Sequence, residues 1–280
     1  MILFIGATGT VGTAVCNAVV DKSQFRLALR DPARAPAGFA SVPFDLARSP
    51  TYAAALEGVT RMFLLFPPNL AERKKRVAAL LAAAKQAGVE HIVFLSVRNA
   101  DRLTFLPHRH IEKAIEASGI EFTHLRPNDF MQNFASVPTY RDAIRDRGEI
   151  WAAGGRSSTS YVDVRDVGAA AIKVLTEPGH AGKAYTLTGP ASLDLDQVAS
   201  IMSRVLGRGI RYVRPSILGF VTHARRSGAS WPLATVMTII GLIARSGLPR
   251  SVDPTLPRLL GCEPHGFDEF VRDYAATWAA

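Results

Sequence analysis

Cysteine is scarce: Cys16 and Cys262 are the only two in 280 residues. They lie far apart in the chain, so neither a disulfide framework nor a cysteine-based metal site is encoded, and no metal is expected. A reducing cytoplasm is the expected compartment. Long apolar runs are also missing. The longest, Leu233 to Ala244, is interrupted by Thr235, Thr238 and Gly241 and falls short of the roughly 20 residues of a membrane span. Met1 leads straight into an apolar strand, so no leader peptide is expected. There is no internal repeat and no low-complexity segment. Acidic residues are in deficit, 24 against 33 Lys and Arg, for a formal charge of +9. A surplus of this sign suits an anionic partner, either nucleic acid or a phosphorylated cofactor. The basic residues are scattered, however, apart from Arg73-Lys74-Lys75-Arg76 and Arg225-Arg226, and no aromatic-interleaved basic stripe is present. The charge therefore reads as an arginine-rich background with solvated helix faces. Neither nucleic acid nor a membrane is expected as a partner.

What is present begins at once. Met-Ile-Leu-Phe-Ile-Gly-Ala-Thr-Gly-Thr-Val-Gly places Gly6, Gly9 and Gly12 in the spacing G-x-x-G-x-x-G between an apolar strand and an amphipathic helix. Each glycine has its own reason. Gly6 permits a tight turn, Gly9 lets backbone amides approach a pyrophosphate, and Gly12 allows the helix to pack on the sheet. The helix start then offers unpaired N–H groups and a positive dipole end to phosphate. Gly6, Thr8, Gly9, Thr10, Val11 and Gly12 are the candidate cofactor loop; the plain alternative is a glycine-rich turn with no ligand.

The first half alternates strand and helix, the pattern of a parallel sheet with crossover helices. Strands are expected at 2–5, 26–29, 42–44, 61–66, 91–96 and 121–126, with helices at 11–20, 72–87 and 108–118. Beyond Asn128 the pattern changes to a helix over 130–147, a short strand at 160–162, a helix over 166–175 and a strand at 184–188. Helices at 195–206, 216–226, 233–245 and 267–278 follow. The fold class is α/β: a Rossmann-type doubly wound parallel sheet with a smaller helix-rich C-terminal lobe. Residues 1–130 and 160–188 are expected to form the dinucleotide-binding domain. Residues 131–159 and 189–280 are expected to form a substrate lobe over the open edge of the nucleotide site.

Several stretches together resemble the NmrA-like group of atypical short-chain dehydrogenases, which includes quinone reductases, triphenylmethane-dye reductases and redox-sensing regulators. They are GATGTVG at 6–12, LALRDPAR at 27–34, FLLFPP at 63–68, HIVFLS at 91–96, HIEKAIEASGIEFTHLRPNDFMQN at 110–133, YVDVRDVG at 161–168 and DPTLPRLLGCEP…FDEFVRDYAATW at 253–278. The resemblance covers essentially the whole chain and implies NAD(P)H binding.

The end of the second strand selects the cofactor. A carboxylate there would bind a ribose 2′-hydroxyl, whereas Arg30 and Arg34 suit a 2′-phosphate, so NADP(H) is preferred over NAD(H). Asp31 complicates this, because it can offset the arginines or take the ribose itself. Asp45, with Leu46, follows the third strand where the resemblance implies an adenine contact; a helix N-cap is the alternative. Phe66 and Pro67 end the fourth strand, where the resemblance implies a contact with the cofactor ribose and the alternative is plain core and turn.

Short-chain dehydrogenases of the usual type carry Tyr-x-x-x-Lys after the fifth strand, a phenol that exchanges a proton and a lysine that lowers its pKa. Anchored on Glu112 and Ala117-Ser118-Gly119, the resemblance puts His108 at the lysine position and Thr104 at the tyrosine position, with Ser96 as the strand-end serine. His108, Ser96 and Asn128 are thus the catalytic candidates, with Ser96 and His108 also on the cofactor side. His110 is a weaker candidate, and helix capping is the alternative for both histidines. Asn128 could donate to a substrate carbonyl or simply be a turn residue. Tyr161 reads as the start of a strand rather than a catalytic phenol. Phe130 and Asn133 are substrate candidates through the resemblance, and Trp231 and Met237, with Phe220 and Leu233, through their apolar character; ordinary helix core is the alternative.

The expected activity is hydride transfer from NADPH to a small hydrophobic, electron-poor acceptor such as a quinone, dye or enone. Such an acceptor takes hydride without a prior enzyme acid. The alternative from a different class is a catalytically weak, NADP(H)-binding redox sensor acting through a protein partner. The chain is expected to be a monomer or a homodimer.

Overall fold

A strand covered by helices on both faces buries every residue it has, so it reads as an unbroken apolar run. Ile2–Ile5 (β1) and His91–Leu95 (β5) are buried along their whole length. The computed structural model describes residues 1–67 and 72–279. Pro68, the last residue of the FLLFPP motif, lies outside them. The chain divides into two compact units, Met1–Pro127 with Arg165–Leu187, and Asn128–Val164 with Thr188–Ala280.

The first unit holds a seven-stranded, all-parallel sheet. Besides β1 and β5 it contains Phe25–Leu29 (β2), Ala40–Pro43 (β3), Arg61–Leu64 (β4), Glu121–Pro127 (β6) and a last strand, Lys183–Leu187. In spatial order these run β3-β2-β1-β4-β5-β6, then Lys183–Leu187. Strand order reverses between β1 and β4, and ligands of doubly wound sheets bind at the carboxyl ends of the strands beside that point. Thr10–Ala18 (α1), Tyr52–Leu56 (α2), Arg73–Gln86 (α3) and Pro107–Glu116 (α4) are helices of this unit. Leu3, Ile5, Met62, Leu64, Leu80, Phe94, Ile111 and Ile115 form one buried cluster. The helix Val164–Thr176 comes close to α1 because residue 168 is glycine: a Cβ there would lie 2.7 Å from the Ala14 carbonyl oxygen.

The second unit departs from the pattern at one instructive place. Residues 130–147 do not form one helix but two, Asn133–Ser136 (α5) and Pro138–Arg147 (α6). Pro138 has no N–H to continue the first helix and forces Val137 to be extended, with φ −84° and ψ 115°. The same proline then starts the next helix, where a missing N–H costs nothing. The expected strand at 160–162 is reduced to isolated bridges, Phe130 with Val162 and Thr159 with Leu193. Residues 267–278 split into a helix, Phe267–Asp273, and a 3-10 turn, Ala275–Trp278. Their apolar side chains join Phe134, Tyr161, Val198 and Met202 in the core of this unit.

Candidate functional site

The loop after β1 shows three different uses of glycine. Gly6 has φ +100°, a conformation open to glycine, and a Cβ there would crowd Leu65 at 2.8 Å. At Gly12 a Cβ would lie 2.1 Å from the Gly6 carbonyl oxygen, so this glycine lets α1 close on its own loop rather than only on the sheet. A Cβ at Gly9 would meet nothing within 4 Å among the described residues. Gly9 is the N-cap of α1 and provides no side-chain hydrogen bond. The first N–H groups of α1 are therefore uncapped, and they stand at the positive end of the helix dipole. Thr8, Gly9 and Thr10 are exposed, whereas the Val11 side chain is buried in the core. Of Val11, only the backbone N–H is available to a phosphate.

Arg30 and Arg34 are both exposed and, among the described residues, neither is paired with a carboxylate. Asp31 does not offset them by contact. Its Oδ1 accepts from the Ala33 N–H at 3.1 Å and caps the short 3-10 turn Pro32–Arg34. Asp45 caps no helix; its Oδ1 accepts from the Ala47 N–H at 2.8 Å and closes a turn. Leu46 is buried, and its carbonyl accepts from the Tyr52 hydroxyl at 2.8 Å. Phe66 packs in the buried cluster of the sheet, while Pro67 is exposed.

At the end of β5 the structure assembles a network that sequence reasoning did not single out. Glu112 is fully buried. Its Oε1 accepts from the Ser96 hydroxyl at 2.7 Å and from Arg126 Nε at 2.8 Å; Oε2 accepts from Arg126 Nη2 at 2.9 Å and Arg109 Nη1 at 3.0 Å. Burial alone would raise the Glu112 carboxyl, but the Arg126 fork and the Ser96 hydroxyl outweigh it and hold it below its ordinary value. Ser96 is itself buried. Its hydroxyl proton is directed to the Glu112 carboxylate, which ties the end of β5 to α4. Glu112, Glu116 and His124 also bring three ligand-type atoms within 4.8 Å of one another. Both Glu112 oxygens are already filled, however, and Arg109 bridges to Glu116 at 2.8 Å. Two guanidiniums stand where a metal ion would have to enter.

His108 lies in the first turn of α4 with its ring 6.3 Å from that of Phe94. Burial, with the Arg73 charge nearby, lowers its imidazole to about 4, so it is neutral at physiological pH. Thr104 is exposed, and His110 is exposed with Nδ1 3.2 Å from the Leu106 carbonyl, a helix-start contact.

In the second unit, Asn128 is buried and its amide NH2 faces three acceptors at 2.9 Å: the Ser160 carbonyl, the Ser160 hydroxyl and the Pro249 carbonyl. That amide holds three chain segments together and does not point a free donor at a substrate. Phe130 and Asn133 are half-buried, and between them in space sits a residue the sequence reading passed over, Asp129. Asn133 Nδ2 donates to Asp129 Oδ1 at 2.6 Å and the Phe130 N–H donates to the same oxygen at 3.1 Å. Tyr161 is buried and its phenol is raised well above the ordinary value by desolvation, which disfavours the phenolate a catalytic tyrosine would use.

Met237 and Phe220 are buried with Ala224 and Ala234, the helix-core alternative. Trp231 is exposed, with the Arg225 guanidinium 4.7 Å from its ring centre, and Leu233 is exposed. Among the described residues of this unit are two concavities of interest. One, of about 710 Å³, is lined by residues including Arg147, Trp151, Leu218, His223 and Arg226. The other, of about 220 Å³, is lined by residues including Met131, Tyr161, Leu193 and Phe267. Neither includes Phe130, Asn133, Trp231 or Met237.

No helix among the described residues is long and apolar enough to cross a membrane. The sequence profile of the NmrA-like family matches residues 1–271. An NAD(P)H azoreductase of Xenophilus azovorans is 32% identical over 289 residues, covering 100% of both chains. The crystal structure of an Escherichia coli NADPH-dependent quinone oxidoreductase complexed with NADPH is similar with a TM-score of 0.89 at 28% identity, covering 98% of this chain and 99% of that one. A Citrobacter triphenylmethane reductase complexed with NADP(H) shares the fold, with a TM-score of 0.87 at 24% identity and coverage of 98% and 99%.

Proposed function

The chain belongs to the NmrA-like family, and on that premise we propose that it is an NADPH-dependent reductase of small hydrophobic, electron-poor acceptors of the quinone, dye or enone type. The observation that carries this reading is the open, uncapped loop at Gly9, beside the reversal point of the sheet, in a chain matched end to end by an NAD(P)H azoreductase. A ligand with closely spaced phosphates fits that loop. Among the described residues nothing lies within 4 Å of a Cβ at Gly9, and the amides at the start of α1 have no side-chain cap. When bound, NADPH supplies a hydride.

The chain's own residues do the rest. Backbone N–H groups from Gly9 to Gly12 bind the pyrophosphate, and Arg30 with Arg34 takes the 2′-phosphate in charge-assisted bonds. Asp45, Phe66 and Pro67 are assigned to the adenosine side, and His108 to the nicotinamide ribose as a neutral hydrogen-bonding group. Thr104 and His108 stand where the usual tyrosine and lysine would. An exposed threonine and an uncharged imidazole supply neither an acidic phenol nor a cation, so the acceptors are those electron-poor enough to accept hydride first. Phe130 and Asn133 are assigned to substrate contact.

The test is NADPH oxidation, followed at its absorbance band, against a panel of quinones, azo and triphenylmethane dyes, and enones. Turnover with at least one class is expected. Tight NADPH binding with no turnover on any of them would move the assignment to a redox sensor. Arg30→Ala is expected to weaken NADPH binding about 10- to 100-fold and to leave NADH binding within about twofold, read by fluorescence titration. Unchanged NADPH affinity would remove this arginine from the 2′-phosphate site.

A further inference from the structure

Eight arginines and no aspartate, glutamate or lysine fall in residues 197–252, nearly the whole of the formal charge of +9. None of them is assigned to the cofactor. The helix Ile217–Arg226 belongs to this stretch and borders the concavity of about 710 Å³ in the second unit. Leu218, Thr222 and Arg226 recur every four residues and so share one face of that helix; with His223 they line the space. Arg147, the last residue of α6, and Trp151 complete the lining. A space of this size holds a small-molecule ligand.

The lining has a flat aromatic part and a cationic part. Trp151 and His223 stack with ring centres 4.3 Å apart and planes 17° apart. Both rings are held in place: the Trp151 indole N–H donates to Glu149 Oε2 at 2.9 Å, and His223 Nε2 lies 3.4 Å from the Thr139 carbonyl oxygen. Burial lowers the His223 imidazole from its ordinary value, so it is neutral at physiological pH. The arginines carry the charge. Arg147 Nε donates to Glu149 Oε2 at 3.1 Å, and Arg211 Nη2 to Oε1 of the same carboxylate at 2.6 Å, so one negative charge faces two guanidiniums. Arg226 is exposed, and its own helix has no carboxylate to offset it. Leu218, 77% exposed, adds apolar surface.

We propose that this concavity binds a flat aromatic molecule bearing one acidic group, a carboxylate or a sulfonate. The ring lies on the surface made by Trp151, His223 and Leu218, and the acid is held by Arg147 and Arg226 in charge-assisted bonds. Neither part suffices alone: a free inorganic anion leaves the aromatic surface wet, and a neutral ring leaves the guanidiniums without a partner. None of these residues is assigned to NADPH or to the acceptor, and the site does not depend on the reductase reading.

The test is calorimetric titration of the full-length protein with naphthalene-2-sulfonate, with and without saturating NADPH to fill the nucleotide loop. One molecule is expected to bind per chain with a Kd of about 0.1–1 mM in both conditions. Naphthalen-2-ol, which lacks the charge, and inorganic sulfate, which lacks the ring, should each bind at least about tenfold more weakly. Arg226→Ala should weaken naphthalene-2-sulfonate binding about tenfold. Leu218→Asp, which sets a carboxylate against the acid, should weaken it by a similar factor. Both side chains are exposed, so the variants should fold and keep NADPH affinity within about twofold. Binding that NADPH abolishes would put the sulfonate in the nucleotide loop, and equal affinity in wild type, Arg226→Ala and Leu218→Asp would put it elsewhere on the chain. Either result overturns the site, as does a titration that shows no saturation by about 10 mM. Failure to turn over any acceptor removes the reductase reading and leaves this binding result standing.

Discussion

Gly9 and Gly12 lie three residues apart at the start of α1, yet an added methyl group meets none of the described residues within 4 Å at the first and a carbonyl oxygen at 2.1 Å at the second. Gly9→Ala should therefore cost less than about 1 kcal/mol of stability while weakening NADPH binding by more than about tenfold. Gly12→Ala forces the backbone apart and should cost about 2–4 kcal/mol. Urea unfolding and NADPH titration of the two variants separate a glycine kept for the ligand from one kept for the fold. The Asp129 carboxyl makes stability depend on pH. It titrates near 6 in the folded chain against an ordinary value of 3.8. The folded state holds the proton more tightly, so stability is greatest below about pH 4 and declines as pH rises through 6. Asp129→Asn should be more stable than wild type at pH 8 by on the order of 2 kcal/mol and should lose that advantage at pH 4. Matched thermal melts at the two values check this.

At the scale of elements, α4 is anchored by a charge buried in its middle. Glu112 joins α4 to the end of β5 through Ser96 and to β6 through Arg126. Glu112→Gln leaves Arg126 and Arg109 facing an uncharged partner in a buried site and should cost about 3–5 kcal/mol. Replacing Glu112 and Arg126 together by glutamine should cost less, because no buried charge is then left unpaired. Since the folded chain holds Glu112 below its ordinary value, its contribution is present at neutral pH and lost as pH falls through the folded value. Acid unfolding midpoints of the two variants test this. The elements themselves were largely readable. Leu195–Leu206 has the boundaries its apolar period predicts, and β1 stands out as an unbroken apolar run, as does β5 after His91. Residues 130–147 were misread as one helix, because periodicity continues across Pro138 while the backbone cannot.

For the whole molecule, the strand order β3-β2-β1-β4-β5-β6 follows from alternating strands and helices and the right-handed crossover they require. A ligand that binds only the folded loop stabilises the fold by mass action. NADPH at about 100 times its Kd should add roughly 2.7 kcal/mol, which corresponds to a rise of about 3–6 °C in Tm for a chain of this length. NADH at the same concentration should give a smaller shift, read by calorimetry or dye-binding melts. Much of this protein was set by residue types at fixed local spacing: the apolar strands, the glycine loop, and the arginines after β2. Local rules suffice there, because a turn needing positive φ or a helix start needing an uncapped N–H is encoded within a dozen residues. The tertiary structure alone decided which polar groups remain available. Ser96 is committed to Glu112, and Asn128 to Ser160 and Pro249. A side chain's chemistry depends on partners that arrive from 16, 32 or 121 residues away, and on the burial that comes with them.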